Sequence, residues 1–334
     1  RSARRNSRVH GRPRPSGGGR NTRVQGSYSA IPQLYLVRGL VLRWAEMWSS
    51  RTATLLATLA IASCDTNEEC SAAIPAGQLT GKLAVVTGAS RGVGAEIARV
   101  FAREGAMVVV NYFQSKSKAE NVVEEINALH NGRAVALFGD VTVKEMMVKL
   151  IADAETHFGK RVSVVVNNAL VAYQFNPGSP AASIKTITEA DIDQQMKGTL
   201  VGAINTVQAA LPSMEEAKYG KVINIGTNLV YNPVVTYYDY TTSKAALVGL
   251  TRNLAAELGP KGVRVNLVAG GLLETTDASA LTTKEVFGFV SAGTPLRKTT
   301  TVNDFAEACV FFAADASNAV TGQSLAVDGG LTMP

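Results

Sequence analysis

From residue 81 onward, short and almost wholly apolar β-branched runs alternate with longer amphipathic segments, and few folds accommodate that alternation. LAVVT (83–87), MVVVNY (107–112), AVALFGD (134–140), VSVVVNN (162–168), KVINIG (221–226), VRVNLV (263–268) and QSLAVD (323–328) read as strands. Near-continuous Val and Ile marks strands buried on both faces, as in a parallel sheet covered by helices. Between them, RGVGAEIARVFAREG, KAENVVEEINALHN and KEMMVKLIADAETHFG have helical character, a long helix is expected over about 189–213, and another from Tyr238 to Leu258. The alternation predicts an α/β fold, a Rossmann-type doubly wound parallel sheet of about seven strands, in a single domain over residues 80–334.

Residues 1–79 do not share this pattern. The net charge of the chain is +6, yet residues 1–45 contain ten arginines and no acid, which leaves −4 for the rest. The basic excess therefore belongs to the N-terminal arm and gives no ground for nucleic-acid binding by the folded part. RPRPSGGGR is a flexible basic run, and arginine and serine without acids resemble an organelle transit sequence. From Met47, MWSSR followed by TATLLATLAIAS and Cys64 has signal-peptide grammar instead, with an apolar run too short to span a bilayer. Transit sequence, signal peptide and non-functional extension stay open, as does the compartment, cytoplasmic or organellar. Cys64, Cys70 and Cys309 form no CxxC pair or His/Cys cluster, so no metal site is expected. Cys309, in FAEACVFFAA, reads as a small core residue.

Directly after the first strand comes TGASRGVG, which opens a helix. A strand, a glycine-rich turn and a helix N-terminus together bring backbone N–H groups to a pyrophosphate. Gly88, Gly92 and Gly94 permit the tight turn and close approach, and Ser90, Arg91 and Val93 complete it. The second strand ends in Asn111 and Tyr112 followed by FQSKSK, with no acid before Glu120. An acid there would hold the ribose 2′-hydroxyl of NAD and repel a 2′-phosphate. Its absence, with Arg91 in the turn and Lys116 and Lys118 nearby, points to NADP(H).

Tyr240 stands four residues before Lys244, so a helix would place both on one face. A cation beside a tyrosine, with an oxidised nicotinamide, would lower the phenol from its ordinary pKa near ~10 and suit it to acid–base work. Tyr237 and Tyr238 have threonines at the same spacing and read as walls or packing.

With both motifs in place, the chain from Gly81 to Pro334 resembles the short-chain dehydrogenase/reductase family, and within it the 3-oxoacyl-acyl-carrier-protein reductases. The resemblance implies that Asp140 and Val141 of FGDVT contact the adenine side of the cofactor. It places Asn167, Asn168 and Ala169 of VNNA along the cofactor, and Thr275 of GGLLETTD on its nicotinamide amide or phosphate. It implies a catalytic set of Tyr240, Lys244, Thr227 and Gln195, a homotetramer contacted through VTGQSLAVDGG, and no membrane span. Four positions depart from the family: Thr227 stands for its serine, Gln195 for its helix asparagine, Leu170 for the glycine of NNAG, and Gly270-Gly271 for Pro-Gly. Threonine keeps a hydroxyl donor and acceptor but is stiffer at χ1. The second glycine pair is expected to loosen the start of the substrate loop.

The resemblance also implies an acyl-carrier-protein or CoA thioester as substrate, with Lys218 and Lys261 at the positions that dock an acidic carrier. Glu215 and Glu216 lie close to Lys218 and weigh against that role. Residues 272–300 are expected to form a substrate lid, whose Leu272, Leu273, Phe287 and Phe289 suit an acyl chain and equally other apolar ketones or simple packing. Three readings remain: an NADPH-dependent 3-oxoacyl-thioester reductase, a same-family reductase of a small ketone, sugar or quinone, and a catalytically weak nucleotide-binding protein.

Overall fold

The computed structural model describes residues 77–333, apart from 131, 132, 171, 172, 174, 177, 275, 277 and 278. The expectations for the N-terminal arm, with Met47, Cys64 and Cys70, lie outside the described residues. Seven strands form one sheet: β1 (Leu83–Val86), β2 (Met107–Tyr112), β3 (Ala134–Phe138), β4 (Val162–Asn167), β5 (Gly220–Thr227), β6 (Val263–Gly270) and β7 (Ser324–Val327). Their order is β3-β2-β1-β4-β5-β6-β7, and every pairing is parallel. The winding reverses between β1 and β4. Such a reversal opens a crevice beyond the carboxyl ends of the strands.

Alternate residues of β1 enter opposite layers. Ala84 and Val86 pack with Ile97 and Phe101 of α1 (Gly92–Arg103), Val122 and Ile126 of α2 (Lys116–His130) and Phe305 of α8 (Val302–Ala313). Leu83 and Val85 pack with Met147 and Leu150 of α3 (Lys144–Phe158), Val207 and Met214 of α5 (Gly202–Ala217) and Leu258 of α6 (Tyr238–Leu258). β1 is buried on both faces, as its apolar run requires. Each fully buried Leu or Phe of these layers contributes about 2–3 kcal/mol by removal from water. Cys309 is buried in the first layer.

The helix expected over 189–213 is not continuous. α4 (Glu189–Met196) starts at a capping box between Thr188 and Asp191, then gives way to a π turn at Lys197–Val201 before α5 resumes. A π turn carries an extra residue and rotates the following side chains by roughly 100° against the α-helical phase. Within residues 272–300, one short helix, α7 (Lys284–Gly293), covers the crevice side. Gly270 ends β6, and the pair it forms with Gly271 is closely packed. A Cβ on Gly271 would stand 2.7 Å from the Cβ of Asp328, and one on Gly270 would stand 3.0 Å from the Phe305 ring.

Candidate active site

A cleft of about 760 Å³ occupies the crevice at the strand ends. One end is built by the β1–α1 turn. Gly88 and Gly92 adopt φ of +61° and +57°, which side chains with a Cβ rarely adopt. A Cβ on Gly94 would lie 2.4 Å from Asn168 Nδ2 and 2.8 Å from the Gly88 carbonyl oxygen. The turn is thus a cradle that a side chain would fill, and it fits a dinucleotide pyrophosphate. Asn111 fixes its entry: Oδ1 accepts from the Gly88 N–H at 3.1 Å, while Nδ2 donates to the Gly139 carbonyl at 3.0 Å. Asn168 Nδ2 closes the other side on the carbonyls of Thr87 and Gly88, at 2.9 and 3.1 Å.

Arg91 lines this end, and its Nη1 donates to Ser115 Oγ at 3.4 Å. A guanidinium and a hydroxyl meet where the sequence lacks an acid, a donor set suited to a 2′-phosphate. Ser115 was not singled out by sequence; its signal was its place just after β2. Lys116 instead pairs with Glu120 at 3.6 Å, and neither it nor Lys118 lines the cleft. Ser90, Val93, Asp140, Val141 and Ala169 line the cleft, and Asp140 also accepts from the Thr142 N–H at 2.8 Å.

Thr227, Tyr240 and Lys244 converge at the other end. β5 ends at Thr227, and the first turns of α6 bring Tyr240 and Lys244 to one face. Tyr240 is 8% exposed, Thr227 5% and Lys244 3%. The Lys244 ammonium donates to the Ile225 carbonyl at 2.6 Å and lies 5.8 Å from the Tyr240 ring centroid. Burial pushes the Lys244 pKa down to about 8. The expected lowering of Tyr240 is not produced by the protein alone: burial pushes the phenol up to about 12, and the Thr227 hydroxyl works in the opposite direction. Thr227 Oγ1 accepts from the Leu229 N–H at 3.3 Å, while its own proton is directed at the Tyr240 oxygen.

Two expected residues lie elsewhere. Asn167 points beneath the cleft, where Nδ2 donates to Asn224 Oδ1 at 2.8 Å, and Asn224 Nδ2 donates to Thr251 Oγ1 at 2.8 Å. Gln195 is buried with Oε1 unpartnered and does not line the cleft. The π turn instead carries Thr199 to Lys244. Thr199, Asn167 and Lys244 share a cavity of about 10 Å³, and Thr199 Oγ1 and Asn167 Oδ1 are both buried with no hydrogen-bond partner among the described residues. Thr275 lies outside the described residues, while its neighbour Thr276 lines the cleft and approaches Gly92.

Three aromatic rings gather around the phenol. Tyr173 stacks on Tyr240 with centroids 5.0 Å apart and planes 20° apart, and Phe175 meets Tyr240 edge-on at 5.1 Å. Tyr237 packs on Phe175 at 5.3 Å. Leu170, Leu272 and Leu273 also line the cleft, and α7 contributes Val286 and Val290, one turn apart. The expected Phe287 and Phe289 do not line it, and Phe289 is 82% exposed. Lys218 and Lys261 stand before β5 and β6, at the ends of the strands away from Thr227, and Lys261 is bonded to Glu215 at 2.5 Å. Among the described residues no helix is long and apolar enough to cross a membrane, and no His, Cys, Asp and Glu group could hold a metal.

A dinucleotide cradle opening onto a buried Tyr–Lys pair defines a nucleotide-dependent oxidoreductase. The chain belongs to the short-chain dehydrogenase/reductase family: a family model described as enoyl-(acyl carrier protein) reductase matches residues 88–332. It is 36% identical over 256 residues to an uncharacterized oxidoreductase of Methylorubrum extorquens, covering 76% of this chain and 99% of that protein. It is 35% identical over 256 residues to the 3-oxoacyl-[acyl-carrier-protein] reductase FabG of Staphylococcus aureus, covering 75% and 98%. Among solved structures, the gluconate 5-dehydrogenase of Burkholderia cenocepacia in complex with NADP and tartrate superposes with a TM-score of 0.68 at 28% identity, covering 76% of this chain and 96% of that one.

Proposed function

We propose that the protein is an NADPH-dependent reductase of a 3-oxoacyl thioester, forming the 3-hydroxyacyl product for fatty acid synthesis. The observation that carries this reading is the apolar surround of the Tyr240 hydroxyl, built from Leu170, Leu229, Tyr173, Phe175 and Tyr237. It suits an acyl chain and offers little to a polyol. The likeness to S. aureus FabG supports it. The second reading, a dehydrogenase of a small polar ketone or sugar, is supported by the likeness to the gluconate 5-dehydrogenase, whose bound NADP also supports the choice of cofactor.

In this reading the glycine turn holds the pyrophosphate, and Arg91 with Ser115 holds the 2′-phosphate. When bound, NADPH supplies the hydride. Thr227 donates a hydrogen bond to the substrate carbonyl oxygen, and Tyr240 delivers its phenolic proton to that oxygen as it becomes an alkoxide. Lys244, fixed by the Ile225 carbonyl, supplies the positive charge that stabilises the resulting phenolate. Thr199 and Asn167 hold a single water beside Lys244, through which the proton is replaced.

Lys218 and Lys261 offer charge to an acidic carrier, but at the far end of β5, roughly 25 Å of strand from Thr227 at about 3.3 Å per residue. A CoA thioester needs no such contact within one chain. Assembly as a homotetramer would cover Leu325 on edge strand β7 and Phe311 on α8, each 41% exposed. The deciding experiment compares acetoacetyl-CoA, an acetoacetyl carrier-protein thioester, ethyl acetoacetate and 5-ketogluconate with NADPH and with NADH. The reading expects the thioesters with NADPH to give the highest kcat/KM. A preference for 5-ketogluconate would overturn it in favour of the second reading.

A further inference from the structure

The rings beside Tyr240 are not spread around an open slot; they are packed on one another. Tyr173 lies nearly flat on the Tyr240 ring, contacts Phe175 at 5.3 Å and Tyr237 at 6.3 Å, and lines the cleft. With one ring face covered by Tyr173 and an edge of Phe175 against it, Tyr240 offers the cleft little besides its hydroxyl. Such ring pairs attract one another beyond their burial, so displacing one to admit a larger substrate is costly. Tyr173 is also held from behind. Its hydroxyl stands 3.5 Å from Oδ1 of Asp239, a long contact that orients the ring, and Asp239 is itself buried on α6 beside Tyr240.

The wall is aromatic. Tyr173 and Phe175 crowd the space next to the reacting oxygen, and among the described residues there Lys244 is the cation, engaged by the Ile225 carbonyl. The other cations that line the cleft, Arg91 and Lys197, belong to the glycine turn and to the start of the π turn. A branched group on the carbon next to the substrate carbonyl would meet these rings.

We infer that Tyr173 is a specificity-determining residue: seated on Tyr240 and anchored by Asp239, it restricts the substrate to a carbonyl compound whose neighbouring carbon is unbranched. This rests on the reductase reading above but not on the thioester, because it concerns the space beside Tyr240 and not the far end of the substrate. The test therefore uses an ester pair as well as a thioester pair. The ratio of kcat/KM for ethyl acetoacetate to ethyl 2-methylacetoacetate, and for acetoacetyl-CoA to 2-methylacetoacetyl-CoA, is measured for the wild type and for Tyr173→Ala, Tyr173→Leu and Tyr173→Phe.

Wild type is expected to prefer the unbranched member at least about tenfold, the range in which one methylene changes pocket discrimination. Tyr173→Ala and Tyr173→Leu should lower that ratio at least fivefold, mainly through KM for the branched compound, while Tyr173→Phe keeps it. NADPH affinity, read by fluorescence titration, should change less than twofold in all three, which separates a wall from a general loss of structure. An unchanged ratio in Tyr173→Ala and Tyr173→Leu with intact NADPH binding overturns the inference. Reduction of the esters but not of the thioesters would overturn the thioester reading alone and leave the ester ratio to decide the role of Tyr173.

Discussion

The site turns on individual hydroxyls and one ammonium. Thr227 carries a single hydroxyl proton, directed at the Tyr240 oxygen, and this is the one it can give to a substrate carbonyl oxygen at that point. Thr227→Ala is therefore expected to lower kcat by roughly 10²–10³, the usual loss for one donor to a developing oxyanion. Thr227→Ser should retain activity within about an order of magnitude; equal rates for wild type and Thr227→Ala would remove Thr227 from the chemistry. Lys244 gives a second expectation. With its pKa pushed down to about 8, it is charged below that value and neutral above it. Charge on Lys244 favours proton release from Tyr240, so kcat in the reductive direction should fall as pH rises through about 8, well before the phenol itself, at about 12, ionises. A pH profile level to pH 10 would contradict this. The Tyr–Lys pair was legible because four residues of helix fix its geometry locally. The direction of the Asn167 side chain was not, since it depends on Asn224, 57 residues away.

At the scale of elements, strand runs and helix periodicity located the framework closely: Tyr238–Leu258 and Met107–Tyr112 have the bounds that their sequence pattern indicates. The break in the helix over 189–213 was not legible, because nothing in a 3.6-residue period announces one extra residue. That single residue decides which side chain reaches Lys244. Thr199, on the π turn, shares its small cavity, and Gln195, on α4, does not. A cavity of about 10 Å³ is the room that one water needs, and its two unpartnered oxygens would bond it. Thr199→Val, which removes the hydroxyl at nearly constant size, should lower kcat about tenfold, at the lower end of general acid–base effects, with KM for NADPH unchanged. Gln195→Leu should leave kcat unchanged and not weaken the fold, because it deletes a buried oxygen that has no partner. Steady-state kinetics of the two variants side by side would reverse the assignment if Gln195→Leu proved the more damaging.

Across the whole domain the sheet separates two ends with different tasks. The carboxyl ends of the strands hold the site, whereas the amino ends hold a polar cluster that no local pattern disclosed, since its partners lie 96 to 233 residues apart. There Lys82 donates to Tyr219 Oη at 2.6 Å and to Asp315 at 3.0 Å, and Tyr219 donates to Asp315 at 2.9 Å. Lys221 is less well served. It is 1% exposed, donates to Ser317 Oγ at 2.9 Å, and faces the Tyr219 ring at 5.9 Å. Burial, with Arg264 and Lys82 nearby, pushes its pKa down to about 8, although Asp315 opposes the shift. The unfolded chain holds this proton up to the ordinary lysine value near ~10.4. Below about pH 8 both states are protonated and the cost of the buried ammonium is present in full. Between about 8 and that ordinary value the folded state binds fewer protons than the unfolded, so stability rises with pH, by up to about 1.4 kcal/mol per unit from this group. Lys244 shifts in the same direction and adds to the slope. Lys221→Met should therefore raise the thermal midpoint at pH 7 by a few degrees, at about 2–4 °C per kcal/mol for a domain of this size. It should also flatten the rise in stability between pH 8 and pH 10 without altering kcat, because Lys221 stands at the end of β5 opposite to Thr227. Thermal unfolding of wild type and variant across that pH range measures both effects, and a variant with a lower midpoint at pH 7 would mean that the bond to Ser317 outweighs the cost of burying the charge.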